Sequence, residues 1–153
     1  MKHIALIMTL GIALPAFADR LPMPASTPAS YKAECTSCHM AYPPALLSAS
    51  DWRKTMAGLK DHFASDAAVD TQKQQEITRF LERNAGDASK LGSAGEPPRI
   101  TQTARFIRKH REIPVKFWKD PRIKSAANCE ACHRGAATGN FSEHDIAIPE
   151  LRD

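Results

Sequence analysis

The pattern C-x-x-C-H occurs twice, as CTSCH at residues 35–39 and CEACH at residues 129–133, and the two copies contain all four cysteines. This pattern is the attachment signature of c-type haem. Two thiols three residues apart on one helical turn can add to the two vinyl groups of a porphyrin, and the histidine that follows can bind the iron. The sequence therefore predicts two haem c cofactors, and the residues assigned to them are Cys35, Cys38, Cys129 and Cys132 for covalent attachment and His39 and His133 as proximal iron ligands.

Paired cysteines also serve two other chemistries, a redox-active dithiol and a four-cysteine zinc site. Neither chemistry requires a histidine after the second cysteine of both pairs. A thioredoxin-type motif also needs a βαβ context, which the sequence lacks. Because haem is attached to this motif outside the cytoplasm, an export signal on the same chain favours haem over both alternatives.

The first 18 residues have the pattern of such a signal. Lys2 precedes an apolar run over residues 4–14, and residues 16–18 (AFA) form an A-x-A cleavage site. The apolar run is too short to span a bilayer, which needs about 20 residues. The sequence predicts a signal peptide over residues 1–18 and one periplasmic, non-transmembrane domain over residues 19–153.

The formal net charge of +4 does not indicate a nucleic-acid partner. Removal of Lys2 with the signal peptide and addition of four haem propionates bring the net charge to about −1. The basic residues also form no block of five or six like charges. We interpret them as solvated, with those near the haem edges as candidate docking charges.

Apolar periodicity predicts a mostly α fold, a small multi-helix domain wrapped around two covalently bound c-type haems. In the first half, the predicted elements are a flexible leader over residues 19–30, a helix over 31–40 with the first motif, a helix capped by Ser50-Asp51, and a helix over 70–84 followed by Gly86. A Gly/Ser/Pro-rich connection over 86–98 joins the halves. In the second half, they are a helix from Thr101 or Thr103 to Arg111, a short helix from Ser125 to Gly135 with the second motif, and a short strand or extended cover at Ile146 and Ile148. The predicted buried helix faces consist of Trp52, Met56, Leu59 and Phe63, then Ile77, Phe80 and Leu81, then Phe106, Ile107 and His110.

The ligand on the second face of each iron distinguishes an electron carrier from a gas-binding or catalytic haem. Outside the signal peptide and the two motifs, the histidines are His62, His110 and His144. His62 and His110 lie near the ends of predicted amphipathic helices with apolar residues close by, whereas His144 lies between two acidic residues. The sequence predicts His62 and His110 as the distal iron ligands, and either one could serve either haem.

Several further motifs are spread over most of the mature sequence. They are Tyr42-Pro43-Pro44 after the first C-x-x-C-H, Trp52 and Met56, His62-Phe63, Asp66-Ala67, Pro97-Pro98-Arg99-Ile100-Thr101, Phe106 and His110, Ala127-Asn128 before the second C-x-x-C-H, and Gly139-x-Phe141. In this combination the chain resembles the dihaem cytochrome c family, although glycine is more typical than Ala64 after Phe63. The resemblance implies a small, mostly helical periplasmic electron carrier with two closely spaced bis-histidine haems. Its implied partners are membrane cytochromes b and, in some relatives, an oxygen-binding haem protein.

Two classes of function are compatible with these residues. The first is an electron carrier, and the second is a haem enzyme or gas-binding cytochrome with one five-coordinate iron. An open iron is needed for the second class, but the sequence offers a candidate distal histidine for each iron. We therefore expect a non-enzymatic carrier with two low-potential bis-histidine haems, and redox partners such as a membrane cytochrome b or another soluble c-type cytochrome.

Overall fold

The computed structural model describes residues 19–148, so the predicted signal peptide lies outside the described part. The α-helices in this part are α1 (Ala29–Cys35), α2 (Ala49–Ala57), α3 (Thr71–Arg83), α4 (Ala88–Leu91), α5 (Ala104–Lys109) and α6 (Val115–Trp118). Short 3₁₀ helices lie at Pro44–Leu46, Leu59–Asp61, Ile100–Gln102, Cys129–Ala131, Ala136–Thr138 and Glu143–Asp145. Residues 19–148 contain isolated β-bridges but no strands, which confirms the predicted mostly α fold. No helix in this range is both long and apolar enough to cross a bilayer.

Helix α3 follows the prediction closely. The side chain of Asp70 accepts a hydrogen bond from the backbone N–H of Lys73 and so caps the helix. Ile77, Phe80 and Leu81 are each about 1% exposed, so the apolar face predicted from their spacing forms the packed face of the helix. Helix α5 was also predicted, with Thr101 or Thr103 as its cap. The structure shows that Thr103 caps it.

Helix α2 begins earlier than predicted, because Ser48 rather than Ser50-Asp51 caps it. The Ser48 hydroxyl accepts a hydrogen bond from the backbone N–H of Asp51 and donates one to the Asp51 carboxylate, a reciprocal arrangement that satisfies the first turn. Trp52 and Met56 are buried on its inner face as predicted.

The prediction was wrong for Phe63, which is not part of the α2 stripe. The α-helix ends at Ala57, and Phe63 and Ala64 follow the next 3₁₀ turn with φ of 54° and 66°. Such positive φ values cannot occur within a right-handed helix, and the Phe63 side chain is 39% exposed. The same backbone conformation explains why glycine would suit position 64 better than alanine.

Neither C-x-x-C-H motif lies in a helix of the predicted extent. Helix α1 ends at Cys35, where the backbone N–H and the hydroxyl of Thr36 both donate to the Lys32 carbonyl, and the first motif continues as turns. The second motif forms only the 3₁₀ helix Cys129–Ala131, and Asn128 rather than Ser125 precedes it. Before this motif, the Ser125 hydroxyl accepts a hydrogen bond from the backbone N–H of Ala127 and the Asn128 amide donates one to the Ile123 carbonyl, so these side chains stabilise a turn.

The hydrophobic core consists of two clusters. The larger one brings together α1, α2 and α3 around Tyr31, Leu47, Trp52, Met56, Ile77, Phe80, Leu81 and Ala94. The smaller one consists of Phe117, Ile123, Ile146 and Ile148. The predicted extended cover is therefore present in the tail, where Ile146 forms an isolated bridge with His133. Ile107 contradicts its predicted position on the buried face of α5, since it is 58% exposed.

The predicted leader makes specific contacts with the end of the described chain. The backbone N–H of Leu21 donates to the Gly139 carbonyl, and that of Phe141 donates to the Asp19 carbonyl. Gly139 has a φ of 77°, and a Cβ there would meet the Leu21 carbonyl oxygen. A glycine is therefore required at this approach of two backbone segments.

Candidate functional site

One cavity has a volume of about 530 Å³ and contains the first motif. Cys35, Cys38 and His39 line one side of it, and His62 lies on its wall as well. The remaining wall is largely apolar and includes Trp52 and Met56 of α2, Leu59 of the following 3₁₀ helix, and Ile77 and Leu81 of α3. A cavity of this size with few polar groups is typical of a cofactor site.

A second cavity has a volume of about 580 Å³ and contains the second motif. Cys129, Cys132 and His133 lie on one side, with His110 on its wall. Its apolar lining includes Phe106 of α5, Phe117 and Trp118 of α6, Ile123 of the turn that follows α6, and Ile146 of the tail. His144, the histidine that the sequence left unassigned, also borders this cavity and belongs to an exposed 3₁₀ turn.

The structure places one candidate distal histidine beside each motif histidine. The ring centres of His39 and His62 are 6.3 Å apart, and those of His110 and His133 are 6.1 Å apart. Each pair therefore belongs to one half of the chain. These distances favour pairing within each half over the crossed arrangement that the sequence left open.

These separations fit two imidazoles on opposite sides of one metal ion. Each metal–nitrogen bond is about 2 Å long, and the centre of an imidazole ring lies roughly 1 Å behind its ligating nitrogen. The expected distance between ring centres is about 6 Å, close to that of both pairs. The separation of the rings in each pair is thus compatible with an iron between them.

Backbone carbonyls set the tautomer of one imidazole in each pair. Nδ1 of His39 lies 2.7 Å from the Met40 carbonyl oxygen, and Nδ1 of His110 lies 2.9 Å from that of Phe106. Because a carbonyl can only accept a hydrogen bond, both Nδ1 atoms carry the proton. Nε2 of each ring is therefore left with its lone pair free to bind a metal.

Burial favours the neutral form of both candidate distal histidines. Burial lowers the pKa of His62, and the nearby His39 and Arg99 act in the same direction. Burial likewise lowers the pKa of His110. Imidazole binds metals only when it is deprotonated at the ligating nitrogen, so these shifts favour coordination.

His133 has a buried Nδ1 with no well-formed hydrogen bond in the described structure. Burial lowers its pKa and a charge on His110 would lower it further, while the backbone of Ser142 and the carboxylate of Asp19 oppose the change. Phe141 contacts the ring edge-on, with 5.6 Å between ring centres. The His133 imidazole is thus buried and packed against Phe141, which limits its freedom to rotate.

The thiols do not resemble those of a redox-active dithiol. Burial raises the pKa of Cys35 to about 11 and that of Cys129 to about 11, and it also raises the pKa of Cys132. Reactive dithiol sites instead lower the thiol pKa. Each cysteine pair lines its own cavity, with Cys129 also bordering the first one, and residues 19–148 contain no group of three or more His, Cys, Asp or Glu side chains arranged to hold a metal ion. Neither the dithiol nor the zinc alternative is supported.

Sequence reasoning missed the side chains that support the histidines. The Tyr42 ring stacks on His39 with 4.7 Å between ring centres, and its hydroxyl donates to the Ala127 carbonyl at 2.7 Å. Phe106 stacks on His110 at 4.0 Å. The only available signal was local: Phe106 precedes His110 by one helical turn. Nothing local links Tyr42 to Ala127, which is 85 residues away.

The two cavities meet at the second motif. Cys129 lines both of them, and Ala127 lines the first. The hydrogen bond from Tyr42 therefore joins the proximal histidine of the first cavity to the attachment loop of the second. This is a direct structural link between the two sites.

Comparison with known proteins agrees with this geometry. The family model described as dihaem cytochrome c matches residues 31–141. The diheme cytochrome type c from Shewanella baltica OS155 is 41% identical, with 79% of this chain and 92% of that chain covered and a TM-score of 0.70. The diheme cytochrome c from Rhodobacter sphaeroides is 37% identical, with 76% and 98% covered and a TM-score of 0.67. A search of curated proteins gave no significant match.

Proposed function

Because the chain belongs to the dihaem cytochrome c family, we propose that it is a periplasmic electron carrier whose two low-potential haems are each held by two histidines. Two haem c groups and haem-based electron transfer follow from membership of the family. The bis-histidine ligation, the low potentials and the location are the parts that we propose.

The observation that carries the proposal is the pairing of the imidazoles. His39 faces His62 and His110 faces His133 at ring-centre distances of 6.3 and 6.1 Å. With a ligand on both sides, neither iron has a coordination position for a substrate. Electron transfer through the porphyrin edge is then the available chemistry, which favours a non-enzymatic carrier over an enzyme.

Each residue of the sites has a distinct role in this proposal. The thiols of Cys35 and Cys38 would hold one porphyrin, and those of Cys129 and Cys132 would hold the other. The histidines would supply two nitrogen donors per iron, and strong donation from two imidazoles would stabilise the ferric state and lower the potential. The apolar walls exclude water. When bound, haem supplies a one-electron ferric/ferrous couple.

Replacement of a distal histidine tests the ligation directly. His62→Gly and His110→Gly should each open one iron, so that the reduced protein binds carbon monoxide at one haem per molecule. His144→Gly is the matched control, because replacement of this exposed histidine should leave both haems six-coordinate and unreactive. Absorption spectra of the oxidised and reduced proteins, with carbon monoxide titration, measure the outcome. A His110→Gly protein that stays fully six-coordinate would remove His110 from the site.

The proposed location and partners rest on the sequence. We propose export by residues 1–18 and electron exchange with a redox protein such as a membrane cytochrome b or another soluble c-type cytochrome. The mass of the protein from the periplasmic fraction should correspond to a chain that begins at Asp19 and carries two haems. A cytoplasmic product of full length would contradict the proposed export.

A further inference from the structure

Positive charge is concentrated in one stretch of the chain, residues 105–124, called here the basic segment. It contains eight Lys or Arg residues and two acidic residues, whereas the rest of residues 19–148 contains eleven basic and thirteen acidic residues. The basic residues of this segment are separated by other residues, so they form no block of five consecutive positive charges. The basic segment therefore carries a formal net charge of +6, whereas the rest of residues 19–148 carries a formal net charge of −2.

The charges of this segment face solvent, and half of them are not neutralised locally. Arg108, Lys116, Lys119 and Lys124 are exposed and form no ion pair with any acidic side chain of residues 19–148. By contrast, Lys109 pairs with Asp19 at 2.7 Å. Unpaired exposed cations create a local positive potential that can attract an acidic surface.

Exposed aliphatic side chains lie among these charges. Ile107 is 58% exposed and Val115 is 70% exposed, and they are two of the three large hydrophobic residues exposed in the described structure. Ile107 belongs to α5 and Val115 begins α6. An apolar contact surrounded by charge is the usual composition of a transient protein interface.

The inner side of the same segment forms a wall of the second cavity. Phe106 and His110 at α5 and Phe117 and Trp118 on α6 line that cavity. A protein bound to the outer side would be separated from the second site by one helix, a thickness of about 10 Å. The basic segment therefore combines a charged outer surface with closeness to a redox group.

We propose that the outer face of the basic segment is the docking surface for an acidic redox protein, which exchanges electrons with the second haem. This inference rests on the proposed function, since it requires a haem in the second cavity. In the exchange, one electron moves between the partner and one haem iron, and no bond is made or broken. The positive surface increases the rate of encounter with an acidic partner, and it does so most at low ionic strength.

A protein partner fits this surface better than an anionic membrane. Helices α5 and α6 have six and four residues, and their aromatic side chains are turned towards the cavity. A membrane-binding amphipathic helix needs a continuous apolar face that can enter the lipid interface. Two separated aliphatic side chains do not form such a face.

The test compares two charge-matched double variants. Arg108→Glu/Lys116→Glu reverses two charges on the basic segment, and Lys32→Glu/Arg79→Glu reverses two exposed charges on α1 and α3, outside both cavities. Both variants change the net charge by the same amount. The probe is a reduced plant-type ferredoxin, an acidic one-electron donor, and stopped-flow absorption measures its second-order rate of reduction of the ferric protein at several salt concentrations.

We expect the segment variant to react roughly tenfold more slowly at low salt and to lose most of its salt dependence. The control variant should stay within about twofold of the wild-type rate. Equal effects of both variants would overturn the proposal, because net charge alone would then explain the rates. It would also be overturned if the segment variant lost binding to phosphatidylglycerol-containing vesicles while its ferredoxin rate stayed unchanged.

The haem spectra separate failure of this inference from failure of the proposed function. If all variants retain two six-coordinate haems, any rate difference concerns docking. If the wild-type protein itself shows a five-coordinate haem, the proposed ligation is wrong irrespective of the docking result. The radical cation of methyl viologen provides a further control. As a positively charged donor, it should react faster, not slower, with the Arg108→Glu/Lys116→Glu variant, because the repulsive charge on the segment is then reduced.

Discussion

The substitution Tyr42→Phe should weaken the connection between the two halves of the chain. It removes the hydroxyl that donates to the Ala127 carbonyl at 2.7 Å and retains the ring that stacks on His39. The acceptor lies at an exposed residue, so water can replace the lost donor. We therefore expect the free energy of unfolding to fall by about 1 kcal/mol, the usual net value of one such hydrogen bond.

The location of the effect is more informative than its size. Because the lost hydrogen bond holds the loop before Cys129, backbone amide exchange should become faster over residues 125–133 and should stay unchanged in α3. Burial raises the pKa of Tyr42 to about 12. The hydroxyl is protonated in both the folded and the unfolded chain below about pH 9, so the difference in stability should be constant from about pH 6 to about pH 9. It should shrink at higher pH, because the phenol of the unfolded wild-type chain then ionises before that of the folded chain.

Tyr31→Phe provides the matched control. The hydroxyl of Tyr31 donates to the Tyr42 carbonyl at 2.6 Å within the larger core, and Tyr31 is 3% exposed. Its loss leaves a partly buried acceptor unsatisfied and should cost about 1–3 kcal/mol, without faster exchange over residues 125–133. Denaturant unfolding and hydrogen exchange of the holoproteins measure both quantities. If Tyr42→Phe leaves stability and exchange over residues 125–133 unchanged, the link between the sites does not exist in solution.

Three further substitutions test the fold around the sites, each by denaturant unfolding of the holoprotein. Gly139→Ala should destabilise the protein by about 1–3 kcal/mol, because φ is 77° there and a Cβ would collide with the Leu21 carbonyl oxygen; an unchanged stability would show that this contact is not formed. Trp52→Phe should cost about 1–3 kcal/mol, because its indole N–H donates to the Pro44 carbonyl in the larger core at 2.7 Å; a cost near zero would mean that this hydrogen bond contributes nothing. Thr103→Val removes the buried cap of α5 and should cost about 1–2 kcal/mol; a loss no larger than that of an exposed Thr→Val change would refute its capping role.

Local patterns in the sequence were sufficient for the chemistry and for the more regular helices. The C-x-x-C-H spacing specifies haem attachment because the thiols and the histidine must reach one porphyrin, a requirement that is met within five residues. The periodicity of Ile77, Phe80 and Leu81 likewise specifies α3, since the buried face of a helix repeats every 3.6 residues.

Helix ends were harder to predict because they depend on competition among neighbouring polar groups. Ser48 displaced the expected cap of α2 by its reciprocal contact with Asp51. At the end of α1, the Thr36 hydroxyl and the Thr36 backbone N–H share the Lys32 carbonyl as their acceptor. The sequence contains these residues but does not reveal which of several adjacent donors and acceptors will pair.

Only the tertiary structure decided how distant parts of the chain meet. The sequence identified His62 and His110 as candidates, but their distances from His39 and His133 depend on how the intervening turns fold, including the positive φ at Phe63. The hydrogen bond from Tyr42 to Ala127 likewise depends on the tertiary fold, because the two residues are 85 positions apart. Local periodicity contains no information on such contacts, because they are fixed by the packing of whole elements around the two cavities.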